Sequence, residues 1–197
     1  MFLLWGNALH GNVEIDWSNQ AYLALQKLAV RQTGPKRHAM PVGLIGPREA
    51  SAEQLSSARN LAYALAGAGM ALLCGGKGGV MEAAAYGAKA AGGVVIGLLP
   101  EEDAAQANPY LTVALPTGLG ITRNALIARA SICLVAVGGG LGTLSEMALG
   151  LQWGKQVFTA CGAPYVHGVQ GFDDIDQLVV AVANWLAEEG TVVVAVD

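Results

Sequence analysis

The chain has 197 residues, of which 53% are hydrophobic and 13% are charged, and its formal net charge is −4. A composition this apolar excludes an intrinsically disordered chain and provides one buried core. The acidic balance argues against nucleic acid or an anionic membrane surface as a partner.

The first 40 residues differ in composition from the rest, and we interpret residues 1–40 as an N-terminal extension. The opening apolar run at 1–6 is short and has no basic residue before it, so it predicts neither a signal peptide nor a membrane span. A helix is predicted over about 17–31, before the breaker at 33–36. We expect this extension to cover the main domain or to form a dimer contact.

The cysteine content predicts a reducing compartment. Cys74, Cys133 and Cys161 are odd in number, and the first two lie inside or at the end of apolar runs, as buried thiols do. We therefore expect a cytoplasmic protein without a disulfide framework.

From residue 41 to residue 197 the sequence alternates between short apolar runs and segments of helical period. Predicted strands cover 42–45, 71–74, 94–99, 110–115, 132–137 and 156–160, with a last apolar run at 191–196. Predicted helices cover 51–68, 79–91, 120–130, 143–153 and 174–189. Strands without period-two alternation are buried on both faces, as in a parallel sheet covered by helices. The prediction is an α/β domain, a Rossmann-like doubly wound parallel sheet in a three-layer α/β/α arrangement.

The strongest functional signal is the glycine-rich junction 138–146, which follows the most uniformly apolar strand. Gly138, Gly139, Gly140 and Gly142 allow the backbone to approach an anion closely, and the next helix presents free N–H groups to it. Thr143 can add a hydroxyl donor. These residues predict a phosphate site, although Thr143-x-x-Glu146 also fits a capping box in which both side chains serve only the helix end.

Two other junctions contribute candidate ligand contacts. Gly46 follows the first core strand, without a G-x-G-x-x-G fingerprint. The segment Gly75-Gly76-Lys77-Gly78 follows the second strand and lacks the G-K-[ST] of a P-loop, so it either lines the ligand or forms a tight turn with a solvated lysine.

Arg123 is placed near a predicted helix start, where a cation opposes the helix dipole. That position favours a phosphate or carboxylate partner, and a surface arginine is the alternative. The scattered histidines show no metal-ligand spacing, so no metal site is predicted.

In combination these segments resemble the LONELY GUY-like family, whose members were often labelled lysine decarboxylases and whose characterised enzymes are cytokinin riboside 5′-monophosphate phosphoribohydrolases. The resemblance covers roughly 41–160 and is carried by 75–82 (GGKGGVME), 92–100 (GGVVIGLLP), Arg123-Asn124 and 138–146 (GGGLGTLSE).

The resemblance implies a homodimer or larger homo-oligomer in which Gly139, Gly140, Gly142 and Thr143 hold the 5′-phosphate. It implies that Glu146 is the catalytic carboxylate and that Arg123 is catalytic or orients the substrate, with no cofactor required. A carboxylate beside an oxocarbenium-like ribose stabilises charge that develops only in the transition state. No pyridoxal-phosphate lysine motif supports decarboxylation.

Two departures from the family pattern change the expectation. Gly138 stands where the enzymes have proline, and Asn124 stands where they have lysine, which removes a positive charge. The chain thereby becomes more similar to a branch that resembles the molybdenum-cofactor carrier proteins, which hold a phosphate-bearing pterin without catalysis. The segment around Thr117 and Gly118 is also similar to that group and is a candidate second anion-holding turn.

Three hypotheses follow from the sequence. The first is a nucleotide-binding protein acting as a nucleoside 5′-monophosphate phosphoribohydrolase. The second is a non-enzymatic carrier or sensor of a phosphate-bearing cofactor, such as a molybdopterin-type ligand. The third is a DNA-processing protein, which the acidic balance disfavours.

Overall fold

A computed structural model of the protein describes residues 15–188, and its central feature is a sheet of seven parallel strands. The strands are β1 (Val42–Ile45), β2 (Leu72–Cys74), β3 (Val95–Leu99), β4 (Val113–Pro116), β5 (Leu134–Val137), β6 (Val157–Ala160) and β7 (Gln170–Gly171). Their order in the sheet is β4-β3-β2-β1-β5-β6-β7. Winding reverses between β1 and β5, and in such sheets the ligand crevice lies at the carboxyl ends of the strands at this reversal.

Within the described residues, six α-helices connect and cover the strands. They are α1 (Asn19–Thr33), α2 (Ala52–Gly67), α3 (Val80–Ala90), α4 (Asn124–Ala130), α5 (Leu141–Gln152) and α6 (Ile175–Glu188), and a 3₁₀ turn (Gly120–Arg123) leads into α4. In residues 15–188 no helix combines the length and apolar character needed to cross a membrane.

The strands bury both faces, which explains their uninterrupted apolar sequence. In β5, Val135 and Val137 belong to a core shared with α1, α2, α3 and α6. Leu134 and Ala136 belong to a second core on the opposite face, with Met147 of α5. Helices on both faces of a parallel sheet confirm the three-layer, doubly wound prediction.

α1 packs against α6 in the outer layer. Leu25 and Leu28 of α1 are fully buried, and the N-cap residue Ser18 donates its hydroxyl to Asp176 at 2.6 Å. These contacts tie the described part of the N-terminal extension to the main domain. The domain boundary at residue 41 stays a prediction.

The two edge strands differ most from the sequence prediction. Pairing of β4 begins at Val113, three residues later than predicted, because Asn108 accepts a hydrogen bond from the Tyr110 amide and Thr112 accepts one from the Val95 amide. The Asn108 bond turns the chain, and Thr112 is then bonded to Val95 of β3 through its hydroxyl and its amide. The short strand β7 was not predicted, and the predicted strand at 191–196 lies outside the described residues.

Candidate functional site

A cavity of about 410 Å³ lies at the carboxyl ends of the central strands, beside the reversal in winding. Its volume is within the range of small-ligand sites. Its walls come from the loops after β1, β3 and β5, the start of α3 and the 3₁₀ turn; they are formed by Gly46, Pro47, Arg48, Met81, Pro100, Gly120, Ile121, Arg123, Asn124, Gly140, Gly142, Thr143 and Glu146.

The N-terminus of α5 forms one wall of this cavity. α5 begins at Leu141 with Gly140 as its N-cap, and no side chain caps it. The first amides of a helix have no acceptor within the helix, so the amides of Leu141, Gly142 and Thr143 are available to an anion. The capping box does not form, because Thr143 is the third helical residue instead of the cap.

The glycines of the loop 138–142 have two different functions. Gly138 and Gly139 have φ angles of 62° and 159°, which turn the chain from β5 towards α5. A Cβ atom at Gly140 would meet nothing within 4 Å, and one at Gly142 would lie 3.8 Å from the Asn124 amide nitrogen. The last two glycines therefore face open space, where a ligand can approach the backbone.

Arg123 is buried in the cavity wall, beside α5. Its Nη2 donates to the carbonyl oxygen of Gly75 at 3.2 Å, and its Nη1 lies 3.6 Å from Glu146 Oε1. Its Nε is buried without a hydrogen-bond partner among the described residues. A side chain at Gly75 would overlap the guanidinium, so this glycine makes room for the arginine.

Glu146 is 6% exposed and lies one helical turn into α5. Burial raises the pKa of the Glu146 carboxyl to about 7, and the positive charge of Arg123 opposes this rise. Burial lowers the pKa of the Arg123 guanidinium, while Glu146 raises it, and the arginine stays protonated in water. Near neutral pH this carboxyl can therefore donate or accept a proton at the cavity wall.

Asn124 joins the 3₁₀ turn to α5. Its side-chain oxygen Oδ1 accepts a hydrogen bond from Arg123 Nη1, and its Nδ2 donates to Ser145 Oγ at 3.2 Å and to the Gly142 carbonyl oxygen at 3.4 Å. The residue that departs from the family pattern thus holds Arg123 and the first turn of α5 in a fixed relation.

The loop after β2 is closed by protein contacts. Lys77 is buried, and its Nζ lies 2.6 Å from Glu101 Oε1 and 2.8 Å from Gln106 Oε1. A Cβ atom at Gly76 would press on Leu99. None of Gly75, Gly76, Lys77 and Gly78 is among the cavity-lining residues, so the structure favours the tight-turn alternative, with Lys77 paired instead of solvated.

The turn at Thr117 and Gly118 also uses its polar groups internally. The Thr117 hydroxyl donates to the Leu99 carbonyl oxygen at 2.7 Å, and the Gly118 amide donates to the Glu101 carbonyl oxygen at 2.9 Å. Gly120 lines the cavity, but its amide donates to the Pro100 carbonyl oxygen. The structure therefore does not bring Thr117 and Gly118 to the cavity as amide donors.

Arg48 is the charged wall residue that the sequence analysis did not assign. It is exposed and lies in the loop after β1, three residues beyond Ile45, at the reversal in winding. A Pro-Arg pair at the end of the first core strand of a doubly wound sheet is the signal that could have identified it. Within residues 15–188, no group of three or more His, Cys, Asp or Glu side chains could hold a metal ion.

Comparisons with known proteins agree on one group. Residues 39–170 match the SLOG cluster4 family, in the LONELY GUY-like superfamily. A protein of Archaeoglobus fulgidus is 36% identical over 140 residues, which are 71% of this chain and 92% of that protein.

Two solved structures are similar to the chain in both fold and sequence. The molybdenum cofactor binding protein from Rippkaea orientalis is 36% identical with a TM-score of 0.61, over 74% of this chain and 85% of that one. The molybdenum cofactor carrier protein from Chlamydomonas reinhardtii is 33% identical with a TM-score of 0.69, over 76% of this chain and 99% of that one.

DNA processing protein A from Helicobacter pylori is similar in fold, with a TM-score of 0.59 over 73% of this chain and 80% of that one. At 19% identity this likeness shows the fold alone.

Proposed function

Because the chain belongs to the SLOG cluster4 family, we propose that it binds a small phosphorylated ligand at the N-terminus of α5 and carries it without chemical change. The observation that carries this proposal is the uncapped start of a 12-residue helix facing a cavity of about 410 Å³. Anions are stabilised there by free amides and by the positive end of the helix dipole. Arg123 and Arg48 add positive charge to the same cavity.

The ligand class that fits best is a phosphate-bearing pterin or nucleotide, including a molybdopterin-type ligand as cargo. The amides of Leu141 to Thr143 would hold the phosphate, and the cavity is large enough for an attached ring system. The likeness to two proteins named for binding or carrying molybdenum cofactor supports this choice.

Calorimetric titration tests the proposal, with inorganic phosphate, nucleoside 5′-monophosphates and a molybdopterin preparation as probes. We expect the phosphorylated organic probes to bind and to be recovered intact. Arg123→Met should weaken their binding by about 30-fold, since a charge-assisted hydrogen bond contributes roughly 2 kcal/mol. Arg129→Met is the matched control, because Arg129 lies on α4 with its guanidinium over the Trp153 ring, away from the cavity. The carrier proposal fails if no phosphorylated probe binds, or if both variants bind as the parent does.

A second candidate function is hydrolysis of the N-glycosidic bond of a nucleoside 5′-monophosphate. The observation that favours it is Glu146, a buried carboxyl at the cavity wall with a pKa of about 7 and Arg123 beside it. In this reaction water adds to the anomeric carbon and the base leaves with a proton. The Glu146 carboxylate would stabilise the ribosyl cation or take the proton from water.

Incubation with a panel of nucleoside monophosphates separates the two functions. Release of free base that is lost in Glu146→Gln supports hydrolysis, and its rate should rise with pH through about 7, as the carboxylate forms. Absence of free base from every substrate rejects hydrolysis and leaves the carrier proposal in place.

A DNA-processing role receives no support beyond the shared fold. The net charge of −4 provides no general attraction for a polyanion. Assembly as a homodimer and a cytoplasmic location remain predictions, which size-exclusion chromatography and localisation of the tagged protein would check.

A further inference from the structure

A second depression of about 620 Å³ adjoins the phosphate cavity. It runs between the first turns of α2 and α3, and we call it the α2–α3 groove. It is lined by the small side chains of Ala50, Ala52 and Ala83 and by the larger side chains of Leu55, Tyr86 and Tyr110.

Arg48 connects the two spaces, because it lines both the phosphate cavity and the groove. The start of α3 separates them, with Met81 on the cavity side and Glu82 on the groove side. An exposed guanidinium at this junction is in position to pair with an anionic group between two halves of one ligand.

The chemistry of the groove suits a planar ring. Tyr86 and Tyr110 form an edge-to-face pair, with ring centroids 5.0 Å apart and planes inclined at 76°. Both rings are half-buried and border the groove. Arg59 adds a second guanidinium to its lining. Aromatic rings and guanidinium groups stack on heterocyclic bases. This stacking does not depend on which hydrogen-bonding groups the base carries.

We propose that the protein takes a two-part ligand of the dinucleotide class, with one phosphate of its pyrophosphate at α5, the other phosphate beside Arg48 and a second heterocyclic ring in the α2–α3 groove. This inference rests on the proposed function and specifies the class of ligand for that site. The cavity at α5 accommodates one mononucleotide-sized half, and the groove accommodates the other.

The test compares adenosine 5′-monophosphate with di(adenosine-5′) pyrophosphate, and repeats the comparison with the guanosine pair. We expect the dinucleotide to bind about tenfold more tightly than the mononucleotide, which is the gain from stacking one base on an aromatic side chain. Ser56→Trp places a large side chain in the groove from an exposed position on α2. This variant should remove the advantage of the dinucleotide and leave binding of the mononucleotide unchanged.

Glu53→Trp is the matched control, since Glu53 is exposed on the same helix and does not line the groove. This control should keep the tenfold preference for the dinucleotide. Equal affinity of the parent protein for the two ligands overturns the two-part ligand while the phosphate site stands. A change of oligomeric state in Ser56→Trp, but not in Glu53→Trp, also overturns it, because a second copy would then cover the groove. Failure of all these ligands and of inorganic phosphate to bind overturns both proposals.

Discussion

Two glycine-rich loops lie at the same edge of the sheet, one after β5 (138–142) and one after β2 (75–79), and only the first of them lines the phosphate cavity. In the β5 loop, Gly140 faces open space at the start of a helix. In the β2 loop, the missing side chains make room for other parts of the protein, such as the guanidinium of Arg123 over Gly75. Glycine therefore indicates that something approaches the backbone closely, but it does not indicate whether that group is a ligand or the protein itself.

The same contrast applies to the cations of the two regions. Lys77 lies within the β2 loop and is held by Glu101 and Gln106. Arg123 lies outside both loops in sequence, yet its guanidinium reaches the cavity and lies beside Glu146. The position of a charge in the chain is thus a poorer guide to the site than the contacts that hold its side chain.

The largest effect is expected at the glycines, and it tests the comparison between the two loops. Gly79→Ala should lower the free energy of unfolding by about 3 kcal/mol, because Gly79 has φ of 68° and a Cβ atom would overlap the backbone oxygens of Pro47 and Arg48. Gly140→Ala should change it by less than about 0.5 kcal/mol, since its backbone is extended and its surroundings are open. Urea unfolding of both variants measures the difference. Equal losses would show that the β5 loop is packed as tightly as the β2 loop.

Most of the fold could be predicted because the parallel strands are buried on both faces. β1 was predicted at its observed bounds, and β2, β3, β5 and β6 were placed within two residues. The edge of the sheet was harder to predict, because β4 has exposed residues and its start depends on hydrogen bonds that the side chains of Asn108 and Thr112 accept. Such contacts are made with neighbouring loops and strands and leave no periodic pattern in the sequence.

The candidate site could be predicted where backbone geometry defines it. Gly140, Gly142 and Thr143 were expected from the loop pattern, and they line the cavity with Arg123 and Glu146. Which of the basic side chains lie at the site could not be predicted in the same way. Lys77 is bound by side chains 24 and 29 residues further along the chain, and Arg48 enters the site only because β1 and β5 are neighbours.

The next largest effect is expected at Glu146, which is buried on α5, the helix that follows the β5 loop. Its carboxyl has a pKa of about 7 in the folded protein against an ordinary value of 4.5. Between these values the folded protein keeps a proton that the unfolded chain releases, so this group lowers stability as pH rises from 4.5 to 7 and adds no further change above that. The cost is at most roughly 3 kcal/mol. Glu146→Gln should remove this pH dependence and be more stable than the parent at pH 8.

Unfolding of the two proteins at pH 5 and pH 8 checks this expectation, with the exposed Glu53→Gln as control. If the stability difference between the parent and Glu146→Gln is the same at both pH values, the carboxyl is ionised throughout. The proposed role of Glu146 in proton transfer would then be wrong.

A smaller effect is expected at Lys77, and it tests whether Lys77 and Arg123 have different roles. Lys77→Met should lower the free energy of unfolding by about 1.5 kcal/mol, because it removes the bonds to Glu101 and Gln106, and the partial exposure of Glu101 limits the loss. Affinity for a phosphorylated probe should change by less than about twofold, since Lys77 does not line the cavity. Calorimetry decides the point, and a loss of affinity as large as that of Arg123→Met would return Lys77 to the ligand site.

The smallest effect isolates the hydroxyl of Thr143 in the β5 loop. Thr143 is 3% exposed at the cavity wall, and its methyl group occupies the space that a Cβ atom at Gly139 would need. Thr143→Val keeps that packing and removes the hydroxyl, so we expect a loss of about fivefold in affinity for a phosphorylated probe, or just under 1 kcal/mol, with little change in stability. Thr143→Ser keeps the hydroxyl and removes the methyl, so it should bind normally and lose stability. If the valine variant binds as the parent does and only the serine variant is impaired, Thr143 serves the turn alone, and the amides at the start of α5 hold the phosphate without it.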